Sequence, residues 1–462
     1  MKLTHLQENA KTLAVLLGVD EDDAARRLKL RIAVSFDPHM AVSRELGEHV
    51  IAMLSRTVEY AGAPDGGPFS AEVVLGPRAP ATSAPVKVYA GQHGLDFVIR
   101  DAEPLTDNFA KTHSAMLVVA SCYVAAAAVR AALGPIFPIK SPAPLVLRWA
   151  DLFGDDLQAL SDPVDIGETY LAGVGAVGNG FLYTLRYFDV HGTLFVTDPK
   201  KVTLGGLNRC LLFGTQDVDQ RKATRICQIA KPHFPGLRLV PIDATLADAR
   251  RARGKKFLLE RLVVGVDSRR ARRSLQTELP REVFDASTTD VREIVLHFNR
   301  QPTTLACLSC VYPETERERH HEQNIAEALG LTVDQVRSGY ITKSVALEIC
   351  HKHTGCKPED LIGRAFDTVY KELCGLGLLQ DSEGRQVLAP FSFVSVLAGA
   401  YLAIEFAIRL ADKNQQHRFN YWRASPWHSP NPQLYQRRSR NPECEFCSKP
   451  YFRRAIEETW HP

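Results

Sequence analysis

Neither sign of charge dominates this chain. Fifty-six Lys and Arg stand against 53 Asp and Glu, a net +3, too even a balance to imply nucleic acid as the main partner. The one local basic run, Arg437, Arg438 and Arg440, reads better as a solvated tail than as a binding patch. No leader is expected either. Met1 to Val19 mixes Lys, Glu and Asn where a signal would be charged and then apolar, so the expected location is cytoplasmic. No stretch reads as a membrane span: Met116–Val129 is shorter than the ~20 residues a bilayer requires, and Phe393–Ala411 carries Glu405 and Arg409. Both are expected to be buried helices. Cysteine is not scarce, at ten, but six of the ten follow no regular spacing, which points away from a disulfide framework and toward metal or catalysis.

What the chain does have is length. With 462 residues, 45% of them apolar, it is too long for one core and should hold two or three domains. Strand-like runs at Leu30–Phe36, Ala71–Leu75, Val86–Tyr89 and Phe97–Arg100, a helical stretch Ser43–Val58 and an alanine-rich helix ending near Leu133 make an α/β unit over residues 1–150. The turn after its first strand, Asp37-Pro38-His39, contains no glycine, so a phosphate cannot approach that backbone and no nucleotide is expected there. Past the proline-rich boundary Pro135–Pro144, a strand at Thr169–Ala172 runs into Gly173-Val174-Gly175-Ala176-Val177-Gly178 and a helix through Tyr187. A glycine turn between strand and helix is the setting of a nucleotide fingerprint. The next strand, Thr193–Thr197, ends at Asp198, 20 residues past Gly178, a distance suited to an acid that takes ribose hydroxyls. By itself the motif is shared by nicotinamide, flavin and ATP users, and by turns that bind nothing.

The residues after Asp198 separate these readings. The stretch Leu204-Gly205-Gly206-Leu207-Asn208-Arg209, continuing to Lys222, resembles the adenylation motif of the ThiF/MoeB and ubiquitin-activating (E1-like) superfamily: an acid, then Ser-Asn-Leu-x-Arg-Gln, then a lysine. The resemblance implies an ATP site in which Asp198 holds the ribose, Arg209 and Lys222 act on the phosphates as catalytic cations, and Gly173, Gly175, Gly178 and Asn208 line the nucleotide. Gly205-Gly206 replaces the usual Ser-Asn, and Cys210 the glutamine. Fixed cations suit the chemistry, because breaking the α–β phosphoanhydride places charge on pyrophosphate; the alternative is a pair of surface cations. A further strand, Leu262–Val266, ends at Asp267, where the family carries a magnesium-binding Asp. A carboxylate there faces the ligand crevice or caps a helix.

Cys307-Leu-Ser-Cys310 and Cys444-Glu-Phe-Cys447 offer four soft ligands to a tetrahedral zinc, with free thiols or a redox pair as alternatives. The family joins two such turns around a structural zinc, and four thiolates leave no open position for catalysis. Ala389-Pro390 before Phe393–Ala411 is similar to the start of the family's closing helix. The fold expected is therefore α/β: a Rossmann-like ThiF/MoeB adenylation domain whose first part spans 151–311, preceded by a degenerate, inactive copy. A helical insertion would span 312–388, with helices at Glu322–Leu329, Val333–Arg337 and Asp360–Leu373. The closing helix of 389–425 and a zinc-bound tail of 426–462 would follow.

Ubiquitin-activating enzymes pass the adenylated acyl group to a cysteine lying between the zinc turn and the closing helix. Here that interval holds Cys350, Cys356 and Cys374. Cys374 is preferred as the catalytic nucleophile: it stands in Leu373-Cys374-Gly375, 15 residues before Ala389, with Lys371 nearby to favour the thiolate. Cys356, in a His351 to Lys357 turn, ranks next and Cys350 third; acylation of none of them stays open. Cys122, Cys210 and Cys227 are expected to be structural, and Arg26 or Arg27 is a guess for an arginine reaching the phosphates from the first half. The resemblance thus implies an enzyme that uses Mg-ATP to adenylate the C-terminal carboxylate of a ubiquitin-like protein, forms a thioester and passes it to a conjugating enzyme. The alternative is an adenylyltransferase for a sulfur-carrier-like protein or a peptide, with no thioester of its own. A homodimer paired through the apolar helices stays open. A scaffold with a vestigial site or an NAD-dependent oxidoreductase fits the cations less well.

Overall fold

Runs of apolar, β-branched residues punctuated by turns occur twice along the chain, and each set builds one open sheet. The structure is a computed structural model. It describes residues 5–107, 109, 112–140, 143–154, 160–253, 258–289, 291–353, 356–364, 366, 369–370, 389–411 and 419–460.

The first sheet contains β1 (Arg31–Ser35), β2 (Tyr60–Gly62), β3 (Ala71–Leu75), β4 (Lys87–His93), β5 (Asp96–Arg100) and β6 (Leu145–Leu147) in the order β2-β1-β3-β4-β5-β6. The second contains β7 (Val164–Ala172), β8 (Val190–Thr197), β9 (Leu237–Ile242), β10 (Arg261–Val264), β11 (Glu282–Thr288), β12 (Ile294–Arg300) and β13 (Tyr421–Ala424) in the order β13-β12-β11-β10-β7-β8-β9. Strand for strand the first repeats the second. β1 matches β7, β2 matches β8, and β3 and β4 match β10 and β11, all parallel. The antiparallel β5 and β6 match β12 and β13. Among the described residues, β9 has no counterpart in the first sheet.

The helices repeat as well. Ala41–Leu54 follows β1 as Ala176–Leu185 follows β7, and the 20-residue helices Ser114–Leu133 and Ser392–Ala411 stand ahead of β6 and β13. Tyr123 and Tyr401, each the tenth residue of its long helix, meet with their hydroxyls 3.1 Å apart and fully buried. Contact between equivalent positions marks a local two-fold axis, so the two halves pack as a dimer pairs. The apolar helices through which two chains could have paired are spent inside one chain.

Helix Ser114–Leu133 corrects one expectation. It is long and apolar enough to cross a bilayer, as is Ser392–Ala411, so length does not disqualify it; instead 78% and 89% of their apolar windows are buried within the molecule. Of the expected helix Asp360–Leu373, the described residues show one turn at Pro358–Leu361 and helical backbone again at Phe366, Val369 and Tyr370.

The closing helix lies against Ala176–Leu185 at two glycines. A Cβ on Gly180 would stand 2.9 Å from Val396 Cα, and one on Gly399 would overlap the backbone of Gly180 and Phe181. Gly399→Ala should therefore lower stability by about 1–3 kcal/mol, the usual cost of overpacking, measurable as a lower denaturant midpoint at unchanged m-value. In the first half, Glu72 is fully buried and accepts hydrogen bonds from Ser35, Ala81, Thr82 and Lys87, the last at 2.7 Å. Burial pushes its pKa up, but Lys87 and the other donors outweigh it and hold the group at about 2. Because the folded value is depressed, this stabilisation is present above the unfolded value near 4.5 and fades as pH falls toward 2. Glu72→Gln should weaken the protein at pH 7 and flatten its acid unfolding limb over that window, as circular dichroism during acid titration would show.

Candidate functional site

The carboxyl ends of β7, β8 and β10 form the crevice where an α/β sheet receives ligands. At the end of β7, Gly173 has φ +86°, a conformation that favours glycine. A Cβ on Gly178 would overlap the Gly173 carbonyl, so the turn closes tightly before helix Ala176–Leu185. Asp198, only 4% exposed, ties this turn to the end of β8: one carboxylate oxygen accepts the Val174 N–H at 3.0 Å, the other the Lys200 N–H at 2.8 Å. Each oxygen retains a lone pair for an incoming hydroxyl.

Lys200 links the remaining groups. Its carbonyl accepts the N–H of Lys222, which opens helix Lys222–Ala230, at 3.0 Å, and its ammonium pairs with Asp267 at 2.8 Å. Asp267 is 70% exposed, and Lys200 holds its carboxyl well below the usual range. Burial opposes the charge of Lys200, but Asp267 outweighs it and pushes its pKa up. Tyr340, from the insertion, places its hydroxyl 3.4 Å from Asp267 and its ring centroid 5.1 Å from the Lys200 ammonium. Ser268, not Asp267, caps the following helix by accepting the Ala271 N–H at 3.0 Å, which leaves the Asp267 carboxylate to the crevice.

Arg209 ends the turn Leu204–Asn208 and donates to Asn208 Oδ1 at 2.8 Å. Asn208, expected among the phosphate contacts, is instead fully buried, with its amide nitrogen donating to Asn9 at 2.9 Å. The first half thus grips this segment. Helix His5–Leu17 supplies Asn9, and Arg56 donates to the carbonyls of Leu207 at 3.0 Å and Phe213 at 2.8 Å. Arg26 and Arg27, guessed as the reaching arginines, both pair with Asp23 on their own helix; the arginine that crosses is Arg56. Gly175 begins the helix with open space around it. Cys122, Cys210 and Cys227 are buried, and burial pushes all three thiols up.

The four sulfurs of Cys307, Cys310, Cys444 and Cys447 lie within 4.8 Å of one another, with separations of 3.7, 3.7 and 3.3 Å along Cys307–Cys310, Cys307–Cys444 and Cys310–Cys447. A tetrahedral zinc with ~2.3 Å bonds places its sulfurs about 3.8 Å apart, so this set can hold that ion. Backbone N–H groups of Asn441 and Phe446 point at Cys310 and Cys444. In the insertion, Cys350 and Cys356 pack partly buried on its small core, and burial together with its neighbour Cys356 pushes Cys350 up to about 11. Cys374 and Lys371 lie outside the described residues.

The profile of the ThiF family matches residues 153–445. The chain belongs to the ThiF family. Residues 3–152 match a second profile, the E1 N-terminal domain, on the half whose sheet repeats the second sheet without its glycine turn. A curated relative, the uncharacterized protein y4jF of Sinorhizobium fredii (strain NBRC 101917 / NGR234), is 29% identical over 266 residues, which are 54% of this chain and 50% of that protein. This ThiF-family chain therefore spans about half the length of that relative. Among solved structures, E. coli MccB is similar at 12% identity and a TM-score of 0.38, over 78% of this chain and 94% of that one. The E. coli tRNA N6-threonylcarbamoyladenosine dehydratase TcdA is similar at 14% and 0.30, over 58% and 94%. At these scores neither bears on the chemistry of this chain.

Lys200, Tyr340 and Arg56 were not anticipated from sequence. Lys200 had a visible signal, its place two residues after Asp198; only the fold brings Tyr340 to the crevice and Arg56 to the Leu207–Phe213 carbonyls. The purified ThiF-family chain should carry about one zinc per molecule by elemental analysis, and Cys444→Ser should lose it and expose the tail helix Pro450–Trp460 to proteolysis.

Proposed function

We propose that this chain is an ATP-dependent adenylyltransferase that activates the C-terminal carboxylate of a small, ubiquitin-like protein. The observation that carries the reading is the convergence, at the ends of β7, β8 and β10, of a glycine turn, a buried ribose-competent acid, cations and one exposed carboxylate. Asp198 would take the ribose hydroxyls. The glycine turn and the N-terminus of helix Ala176–Leu185 would face the phosphates. Asp267 is the residue that would hold magnesium, which typically binds through one or two carboxylates together with substrate phosphates and neutralises charge there. A carboxylate oxygen of the bound protein attacks the α-phosphorus, the α–β bond breaks and pyrophosphate leaves. Arg209 and Lys222 stabilise the negative charge on the departing group.

The finer step is assigned to the insertion on the strength of the resemblance. A thiolate attacks the acyl carbon of the adenylate, AMP leaves, and the thioester is handed to a conjugating enzyme docked on the first half or the insertion. Cys374 is the nucleophile in this reading, with Cys356 second. Burial and the neighbouring Cys356 push the Cys350 thiol up, which supports ranking it last. The second reading, an adenylyltransferase for a sulfur-carrier-like protein or a peptide that forms no thioester, is favoured by the packing of both described insertion cysteines into its core.

Pyrophosphate exchange tests the first step. Asp198→Ala and Asp267→Ala should each reduce it by about a hundredfold or more, and exchange that persists in both removes the site assignment. A thiol-sensitive adduct with a ubiquitin-like protein and Mg-ATP, lost in Cys374→Ala but kept in Cys356→Ala and Cys350→Ala, would establish the thioester. Exchange without an adduct selects the second reading.

A further inference from the structure

The insertion sits on the corner of the crevice. Gly363 lies against Pro199, where an added Cβ would stand 2.9 Å from the proline's own, and Tyr340 reaches over Lys200 to Asp267. Lys200 is a branch point: its N–H belongs to Asp198, its carbonyl to Lys222, its ammonium to Asp267. The first two are backbone contacts that survive any substitution of its side chain. Of the three, only the ammonium contact depends on the side chain, and it shares the Asp267 carboxylate with the Tyr340 hydroxyl. A single exposed carboxylate at a strand end fits magnesium shared with nucleotide phosphates, and a lysine held 2.8 Å from it competes for the same oxygens.

We propose that Lys200 is an internal counter-ion that holds Asp267 until a divalent cation arriving with the nucleotide displaces it, and that Tyr340 of the insertion fixes Lys200 in that place. The insertion thereby sets how much cation the site requires. Lys200 and Tyr340 are positioning residues acting through Asp267, and the inference rests on the adenylation reading above. Attraction between charges near a surface is modest, so the competition should be worth about a twofold to fivefold change in cation affinity.

The test is a Mn2+ titration of the full chain at fixed α,β-methylene ATP, read by electron paramagnetic resonance of protein-bound metal, which needs no turnover. Lys200→Met should lower the Mn2+ concentration at half-saturation by about twofold to fivefold. Tyr340→Phe, which keeps the ring over Lys200 but takes the hydroxyl off Asp267, should move it in the same direction by less, and Lys200→Arg should leave it where it is in the unmodified chain. Because Lys200→Arg and Tyr340→Phe preserve packing, they keep the test intact if Lys200→Met folds poorly. An unchanged or raised midpoint in both Lys200→Met and Tyr340→Phe overturns the counter-ion role while leaving adenylation standing. No nucleotide-linked Mn2+ signal in the unmodified chain, or one unaltered by Asp267→Asn, sinks the reading of the site itself.

Discussion

Three arginines buried on one short helix organise everything around the crevice. Helix Arg269–Gln276 starts two residues after Asp267 and turns Arg270, Arg272 and Arg273 inward. Arg272 pairs with Asp285 of β11 and donates to the Val266 carbonyl beside Asp267. Arg270 pairs with Glu322 of the insertion at 2.8 Å, and Arg273 with Glu318 of the insertion at 2.6 Å and Glu445 of the tail at 3.3 Å. Buried charge is costly to leave unmatched, and removing one partner strands the other. Sheet, insertion and tail must therefore all meet this helix in one register, and Asp267 sits at its head. Tyr312 adds to the lock by donating to Asp285 at 2.7 Å under the Arg272 guanidinium.

The duplicated half explains a second constraint. It has the sheet order of a nucleotide-binding unit but no glycine in its first turn, and its contribution to the crevice is mechanical. Asn9 and Arg56 hold the Leu204–Phe213 segment by its amides and carbonyls, and Thr12 donates to the Ala389 carbonyl at the entry to the closing helix. On the proposed reading, a loop that presents Arg209 to phosphates gains nothing from mobility. Gripping it from a fixed half supplies the order that the Gly205-Gly206 pair removes.

Features set by local rules were legible in the sequence. The Gly173 to Gly178 turn follows from backbone geometry, the four cysteines from ligand spacing, and β1, β3, β7 and β8 from apolar runs. Other features depend on groups distant in the chain and were not. The Arg269 to Arg273 run looks like a solvated helix face until Glu318, Glu322 and Asp285 are brought to it. Asn208 looked like a ligand contact because its motif resembles one that lines a nucleotide, yet Asn9, 199 positions away, claims it. β6 and β13 are short edge strands whose pairing partners, not their composition, define them. Membrane length arguments failed for Ser114–Leu133 because a helix at the centre of a two-fold packing is apolar on every side for the same physical reason as a bilayer span.

The cysteine cluster and the crevice are coupled through the arginine helix. Glu445 lies inside the turn Cys444-Glu445-Phe446-Cys447, and its partner Arg273 is the same residue that holds Glu318. Folding that turn around four sulfurs aims Glu445 at Arg273, so closure of the tail and seating of the insertion share one guanidinium. Tyr340 and Gly363 then carry that seating to Lys200 and Pro199 at the crevice edge. An ion held by the four cysteines would brace the Arg273 contact at which the tail and the insertion meet.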